Sequence, residues 1–352
     1  MTSHPDAKFA AAPLQINISE VARKAGVSTA TVSRVLGGSS RVAAPTRDRV
    51  LQVIKETGYR PSGIARSLRL KATSVIGLVV TDIQNPFYPE IVRGVEDTAM
   101  KMGRSTLLCN ASDDPEREKA YIDVLLQQRV DGIIVISSGL VRRHSELLAS
   151  LNIPVMIVNH EDEGLGLPAI SSPEEHMGAL AAQHLIECGY APLVYAGGLA
   201  EGLGRLPRFE GFIREAAGQE VHYFPGDGSL ESGLNTGRKI GASIKGRVGI
   251  AAHNDLMAIG LLRSLLEQGI NVPQDAGVMG CDDIIFSSAV TPSLTTVRQD
   301  QYEMGCRAMN SMHDLLKGNP VPKHQLIPVS LIHRESTGLA EINLTTEGLA
   351  TK

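Results

Sequence analysis

Ser28, Thr29, Ala30, Ser33 and Arg34 sit in the run Ile18–Leu36, ISEVARKAGVSTATVSRVL, as short polar or small side chains with one arginine at helical spacing. That set suits hydrogen bonding to base edges in a DNA major groove. The N-terminal end of a helix enters the groove, and arginine can donate two bonds to guanine. A second set suits a small polar ligand. Asp82, Ser137 and Ser138, Asn159, Asn254-Asp255 and Asp282-Asp283 each follow a short apolar run, and Asn85-Pro86-Phe87-Tyr88 follows the first of these. Carboxylates accept pairs of hydroxyl protons and rings stack on apolar faces, so a pocket built this way fits a sugar, a nucleoside or a purine. Taken singly, each Asn or Asp reads equally well as a helix cap or a turn residue.

Catalytic motifs are absent. The chain has no HExxH, no Walker A loop, no GxSxG and no GxGxxG after a strand. Gly202-Leu203-Gly204-Arg205-Leu206-Pro207 begins like a dinucleotide loop, but proline stands where the third glycine belongs. The ten histidines show no metal-ligand spacing. His253 is the one candidate base, and it reads more simply as a satisfied histidine at a strand end. No cofactor, metal or enzymatic role is expected.

The first set needs a helical scaffold. Asn17 caps a first helix with Glu20 three residues on, as in a capping box. Val21, Ala22 and Ala25 give that helix a small apolar face, and Gly26 supplies the left-handed stop. Ser28 caps a second helix whose Val32 and Val35 point inward, which leaves Thr29, Ala30, Ser33 and Arg34 outside. A third helix opens with Pro45 in its first turn, carries Val50, Val53 and Ile54 as a stripe, and ends at Gly58. Arg41, Arg47 and Arg49 lie at the edges, where phosphate contacts would position the head without reading sequence. Beyond Pro61, the segment Ser62–Arg69 predicts a helix too short to stand alone. A helix of that kind forms on pairing and on DNA. Leu68 at its tip is placed to wedge between base pairs in the minor groove.

Charge divides the chain. Residues 1–71 hold 12 of the 34 Lys+Arg and 4 of the 38 Asp+Glu, a net of +8, and the remainder is −12. A basic head on an acidic body points to phosphate binding by the head and a different task for the body. At 352 residues there is room for two or three domains. The longest apolar runs fall far short of the ~20 residues needed to span a bilayer, so no membrane partner is expected. Residues 1–15 are small or polar, with no signal-peptide core, and are expected to be a disordered lead-in. Cys109, Cys188, Cys281 and Cys306 form no CxxC pair and are expected as free thiols in a reducing cytosol.

From residue 74 short β-rich runs alternate with helical ones. Val75–Val80, Thr106–Cys109, Gly132–Ile136 and Val155–Asn159 form one set of strands; Leu193–Ala196, Val221–Phe224, Gly249–Ala252 and Gly277–Gly280 form another. Such alternation gives parallel sheets covered by helices on both faces. There are too many units for one sheet. The fold class expected is a small all-α helix-turn-helix head plus an α/β core of two Rossmann-like subdomains, with the ligand site between them at the strand ends.

The chain resembles the lactose/galactose-repressor family of bacterial transcription regulators from about Ile16 to Gly338. The residues that carry the resemblance are Val21-Ala22, Ala25–Ser28, Thr31–Val35, Pro61, Ala65–Leu68, Asp82–Phe87, Asp131–Ile134, Asn254-Asp255, Gly280–Asp283 and Pro292–Gln299. The resemblance implies a periplasmic-binding-protein-like core that the chain crosses three times, near Ser171, Val297–Asp300 and Val329–His333. It implies a homodimer on double-stranded, near-palindromic operator DNA. Ser28, Thr29, Ala30, Ser33, Arg34 and Arg41 would then contact the major-groove site, with Ala65, Leu68 and Arg69 in the minor groove. It also implies a small-molecule effector (sugar, nucleoside or purine) held by Phe87, Tyr88, Ser137, Asn159, Arg208, Asn254 and Asp282.

The domains expected are 16–61 as the head and 62–73 as hinge helix and linker. The core is 74–338, with a first subdomain of about 74–171 and 301–329 and a second of about 172–299 and 331–338; 339–352 is a tail. Two departures stand out. An aromatic commonly follows the Gly-Asp pair, but Gly228 and Ser229 follow Gly226-Asp227 here, and the chain has no tryptophan. Phe87 and Tyr88 would therefore supply the stacking, and Arg205 competes with Arg208 for the ligand. A ligand-responsive cytoplasmic repressor is the reading. A solute-binding protein or a cleft enzyme is the alternative, the first calling for a signal peptide and no basic head.

Overall fold

The computed structural model describes residues 16–59, 72–112, 114–136, 146–160, 166–198, 206–243 and 246–338. The lead-in, the expected hinge helix with Ala65, Leu68 and Arg69, the Ser137-Ser138 pair, Arg205 and the tail lie outside them. Contacts divide the chain at Thr73 and Ser74 into a head and a core.

Among the described residues the head holds three helices, α1 (Ile18–Ala25), α2 (Thr29–Leu36) and α3 (Ala44–Thr57). The Asn17 side chain accepts from the Glu20 amide at 3.0 Å, and the Ser28 hydroxyl accepts from the Thr31 amide at 3.2 Å. Gly26 and Gly58 close α1 and α3 at φ +63° and +62°, a region that costs glycine nothing. Val21, Ala22, Ala25, Val32, Val35, Val42, Val50 and Val53 form the head's core. Side chains this small let three short helices approach closely.

The core has two lobes of matching topology. The first contains β1 (Val75–Val80), α4 (Phe87–Lys101), β2 (Ser105–Asn110), α5 (Pro115–Gln127), β3 (Gly132–Ile136), β4 (Val155–Val158) and β5 (Ala169–Ser171). The second contains α6 (Glu174–Glu187), β6 (Leu193–Ala196), α7 (Pro207–Glu215), β7 (Val221–Phe224), α8 (Leu230–Ser243), β8 (Val248–Ala252), α9 (Asp255–Glu267), β9 (Ala276–Asp282) and β10 (Thr295–Gln299). The chain then returns through α10 (Gln301–Leu316) and β11 (His324–Leu326) to the first sheet, and ends in β12 (Val329–Ile332) on the second.

The sheets run β11-β5-β4-β3-β1-β2 and β12-β10-β9-β8-β6-β7. Every neighbouring pair is parallel except β10 with β12. Runs such as VIGLVV and GIIVI are apolar throughout because both faces of a parallel sheet are covered. The third crossing corrects the expected boundary. Val329 pairs with Gln299, so it belongs to the second lobe, and the chain changes lobes between Leu326 and Val329. The strands β5 (AIS), β10 (TTVRQ), β11 (HQL) and β12 (VSLI) were not read from the sequence, since none carries the continuous apolar run that marks β1 or β3.

Three helix pairs cross at facing glycines. A Cβ on Gly94 would strike the Tyr302 carbonyl and one on Gly305 the Ile91 carbonyl, which sets α4 against α10. Gly178 and Gly211 join α6 to α7 in the same way, and Gly233 and Gly260 join α8 to α9.

Candidate functional site

In the head, Ser28, Thr29, Ala30, Arg34 and Arg41 are exposed and Ser33 is half-buried, while Val32 and Val35 on the same helix face inward. The Ser28 hydroxyl also lies 2.9 Å from the Thr31 hydroxyl. The outer face of α2 therefore presents small polar groups in its first turn and Arg34 in its last. Arg47, expected at a phosphate edge, donates instead to the Ser39 carbonyl at 3.0 Å and ties the turn before α3.

In both lobes of the core the strand order reverses at one point, between β1 and β3 and between β6 and β8. Ligands of open α/β sheets bind beyond the carboxyl ends at that point. The described residues there are Thr81 and Asp82 in the first lobe, and Gly197, His253 and Asn254 in the second.

The second lobe gathers charge at this edge. Pro207 starts α7, which places Arg208 in its first turn. The Arg208 guanidinium donates through Nε and Nη2 to the two Glu174 oxygens at 2.8 and 2.9 Å, and through Nη1 to the His253 carbonyl. Burial works to raise the Glu174 carboxyl, but the Arg208 charge and its hydrogen bonds prevail and hold it below the usual range. His253 is pushed down to about 4 by burial and by the Arg208 charge, so it stands neutral, with the Tyr195 hydroxyl 3.2 Å from its Nδ1.

Asp282 and Asp255 lie next to this group. Asp282 is 5% exposed at φ +128°, a backbone region that residues with a Cβ rarely occupy. Its Oδ1 accepts from Gln299 Nε2 at 2.8 Å, and burial first, then Asp255, raises its carboxyl well above the ordinary value. Asp255 is fully buried and accepts from the Ile284 amide at 3.0 Å and from the Ser287 and Thr296 hydroxyls, each at 2.6 Å. Burial raises it to about 6. Asp283 pairs with Arg298 and Arg334. Of the Asp and Asn pairs singled out in sequence, Asp255 and Asp283 are thus structural, while Asp282 lies beside the Arg208 group.

Asn254 caps α9, with its Oδ1 accepting from the Met257 amide at 2.9 Å. Gly228, φ +83°, lies against its free amide end: a Cβ there would be 2.9 Å from Asn254 Nδ2. The absence of a Cβ at Gly228 thus leaves room for the cap amide.

The first lobe's edge is plainer. Asp82 Oδ1 accepts from Gln84 and Asn85 Oδ1 from Phe87, both at 3.0 Å, so both are turn residues. Asn159 is half-buried at φ +60° after β4. Phe87 and Tyr88 correct the expectation of an open stacking wall. They are 3% and 6% exposed, packed edge to face at 5.4 Å inside a core cluster that also takes in Ile284 of the second lobe. Apolar rings at the start of α4 gain more from that core than from water, and Leu256 and Ile259 pack on the same cluster. Ser137 lies outside the described residues.

Glu174 and Gln299 escaped sequence reading. An acidic residue in a first helical turn looks like a dipole partner, and nothing local links Glu174 to an arginine 34 residues on. None of the four cysteines forms a disulfide. Among the described residues no group of three His, Cys, Asp or Glu could hold a metal, and no helix is long and apolar enough to cross a membrane.

A family model for bacterial regulatory proteins, lacI family, matches residues 17–62, and one for a periplasmic binding protein-like domain matches residues 182–337. The HTH-type transcriptional repressor PurR of Haemophilus influenzae (strain PittEE) is 33% identical over 91% of this chain and 98% of its own length. The ribose operon repressor of Halalkalibacterium halodurans is 34% identical over 91% of this chain and 96% of its own. The crystal structure of the lac repressor dimer bound to operator and the anti-inducer ONPF superposes with a TM-score of 0.83 at 28% identity, covering 92% of this chain and 99% of that one.

Proposed function

The chain belongs to the lacI family of bacterial regulatory proteins, ligand-responsive DNA-binding regulators without enzymatic activity, and from that premise we propose that it is a cytoplasmic repressor that binds a near-palindromic operator as a homodimer. Ser28, Thr29, Ala30, Ser33 and Arg34 read the major groove. Arg41 meets phosphate, and Ala65, Leu68 and Arg69 act in the central minor groove. A sugar, nucleoside or purine sits between the lobes, against Asn159, Arg208, Asn254, Asp282 and Ser137, with the Phe87–Tyr88 cluster as the apolar side. Its binding rotates one lobe on the other and changes the separation of the two hinge segments, so that DNA affinity follows from the ligand's preference for one lobe arrangement.

The observation that carries this reading is the exposed outer face of α2, polar in its first turn and arginine-bearing in its last, on a head whose other face is closed by valines and alanines. The purine and ribose names of two relatives support the choice of ligand classes. The test is capture of genomic DNA fragments on the purified full chain at moderate salt, with and without purines, ribose and nucleosides. A shared palindrome with a central flexible pyrimidine–purine step is the expected result. Retention without sequence preference under every condition would overturn it.

A further inference from the structure

Arg208 stands at the second lobe's edge with its charge already matched. Three of its N–H groups are committed, two to Glu174 and one to the His253 carbonyl. The guanidinium is 8% exposed and the Glu174 side chain 20%, so the pair is screened little by solvent. Two other arginines near this edge, Arg298 and Arg334, both pair with Asp283. The remaining carboxyl against Arg208 is Asp282, whose described partner is the neutral amide of Gln299. Summed over Arg208, Glu174 and Asp282, this edge is neutral or negative. An anionic ligand arriving here meets no uncompensated cation in this set, because the Arg208 charge is already matched by Glu174.

We propose that Glu174 is a specificity residue of the effector cleft: by holding Arg208 it tunes the site to neutral, hydroxyl-bearing ligands and rejects their phosphate esters and carboxylates. The inference rests on the reading of this edge as the effector site. A neutral polyol finds acceptors in Asp282 and donors in the remaining Arg208 N–H groups and the Asn254 amide. A phosphate would bring negative charge to an edge whose arginine is already neutralised by the Glu174 carboxylate, and like charges in a dry site oppose one another strongly.

The test is calorimetry on the full-length protein with D-ribose, D-glucose and adenosine, each against its phosphate monoester, and with inorganic phosphate alone. No ester should bind more tightly than its neutral parent, and inorganic phosphate should give no binding. Glu174→Gln frees the arginine and should raise affinity for inorganic phosphate about tenfold or more, the scale of one charge-assisted contact; Glu174→Asp keeps the charge and should not. Wild-type protein that binds phosphate, or an ester better than its parent, overturns the proposal. So does a folded Glu174→Gln that gains nothing. Should Glu174→Gln not fold, the wild-type titrations decide alone. These titrations contain no DNA, so their failure leaves the operator test standing, and failure of the operator test leaves the Glu174 result standing.

Discussion

The two lobes of the core share one strand order and differ at the edge where a ligand would bind. The second lobe bonds Arg208 to Glu174 and the His253 carbonyl, and beside them buries Asp282 on Gln299 and Asp255 on Ile284, Ser287 and Thr296. The first sets out Asp82, Asn85 and Asn159 on turns, over the buried rings of Phe87 and Tyr88. Identical topology therefore fixes where a site lies but not how it is made. One edge carries fixed charge and the other carries turn residues beside a closed apolar core. Removing a polar group should cost folding stability on the second lobe and little on the first.

The sharpest break in that contrast comes from Asp255→Ala. It strands one amide and two hydroxyl donors in the interior, and the core should lose about 3–5 kcal/mol or fail to fold. Chemical denaturation of the variant measures it, and a loss near that of an exposed residue would erase the distinction between the lobes.

Glu118 tests the first lobe's apolar character. It is 1% exposed on α5, in line with Ile122 and Leu125, and among the described residues neither oxygen has a hydrogen-bond partner. Burial raises its carboxyl to about 7. The folded state holds this proton more tightly than the unfolded chain, so stability is greatest at low pH and falls as pH rises from the ordinary carboxyl range through 7. Glu118→Gln should therefore stabilise the core by about 2 kcal/mol above that range and by little below it. Thermal unfolding across pH reads the difference; a pH-independent effect would mean that the carboxyl is solvated or paired.

Asn254→Ala removes the cap of α9 and should cost about 1 kcal/mol. A neutral ligand should also bind it less well than wild type, a loss that Asn254→Asp restores only for stability. Asp82→Ala closes the series. Its side chain serves one turn amide, and the change should stay within about 0.5 kcal/mol, as surface substitutions do. A cost as large as that of Asp255→Ala would show that the first lobe hides a network of its own.

Much of the architecture was legible. Asn17, Gly26, Ser28 and Gly58 announce their helix ends through local hydrogen bonds and left-handed backbone, which depend only on neighbours in sequence. Runs such as Gly132–Ile136 announce buried strands by composition. Short strands were not legible: β5 and β11 have three residues each and exist because they pair with each other across the sheet.

The site was legible in part. Asn254 and Asp282 stand at the ends of β8 and β9, as their types and positions suggested, while Arg208, implied by the resemblance alone, stands in the first turn of α7. Their roles were not readable, because they depend on partners far along the chain: Glu174 for Arg208, Gln299 for Asp282, Gly228 beside Asn254. Phe87 and Tyr88 read as open aromatic faces, and the structure turned them inward.

The sequence by itself determined the three-helix head, the basic and acidic division of the chain, and two parallel sheets with polar residues at their strand ends. Those features follow from periodicity, capping and net charge, which act over a few residues or simply add along the chain. Only the tertiary structure decided which charges cancel. Whether Arg208 faces a ligand or Glu174 is set by the crossing of α6 and α7 at Gly178 and Gly211, and an ion pair in a dry edge depends on distance and burial, which no linear pattern records.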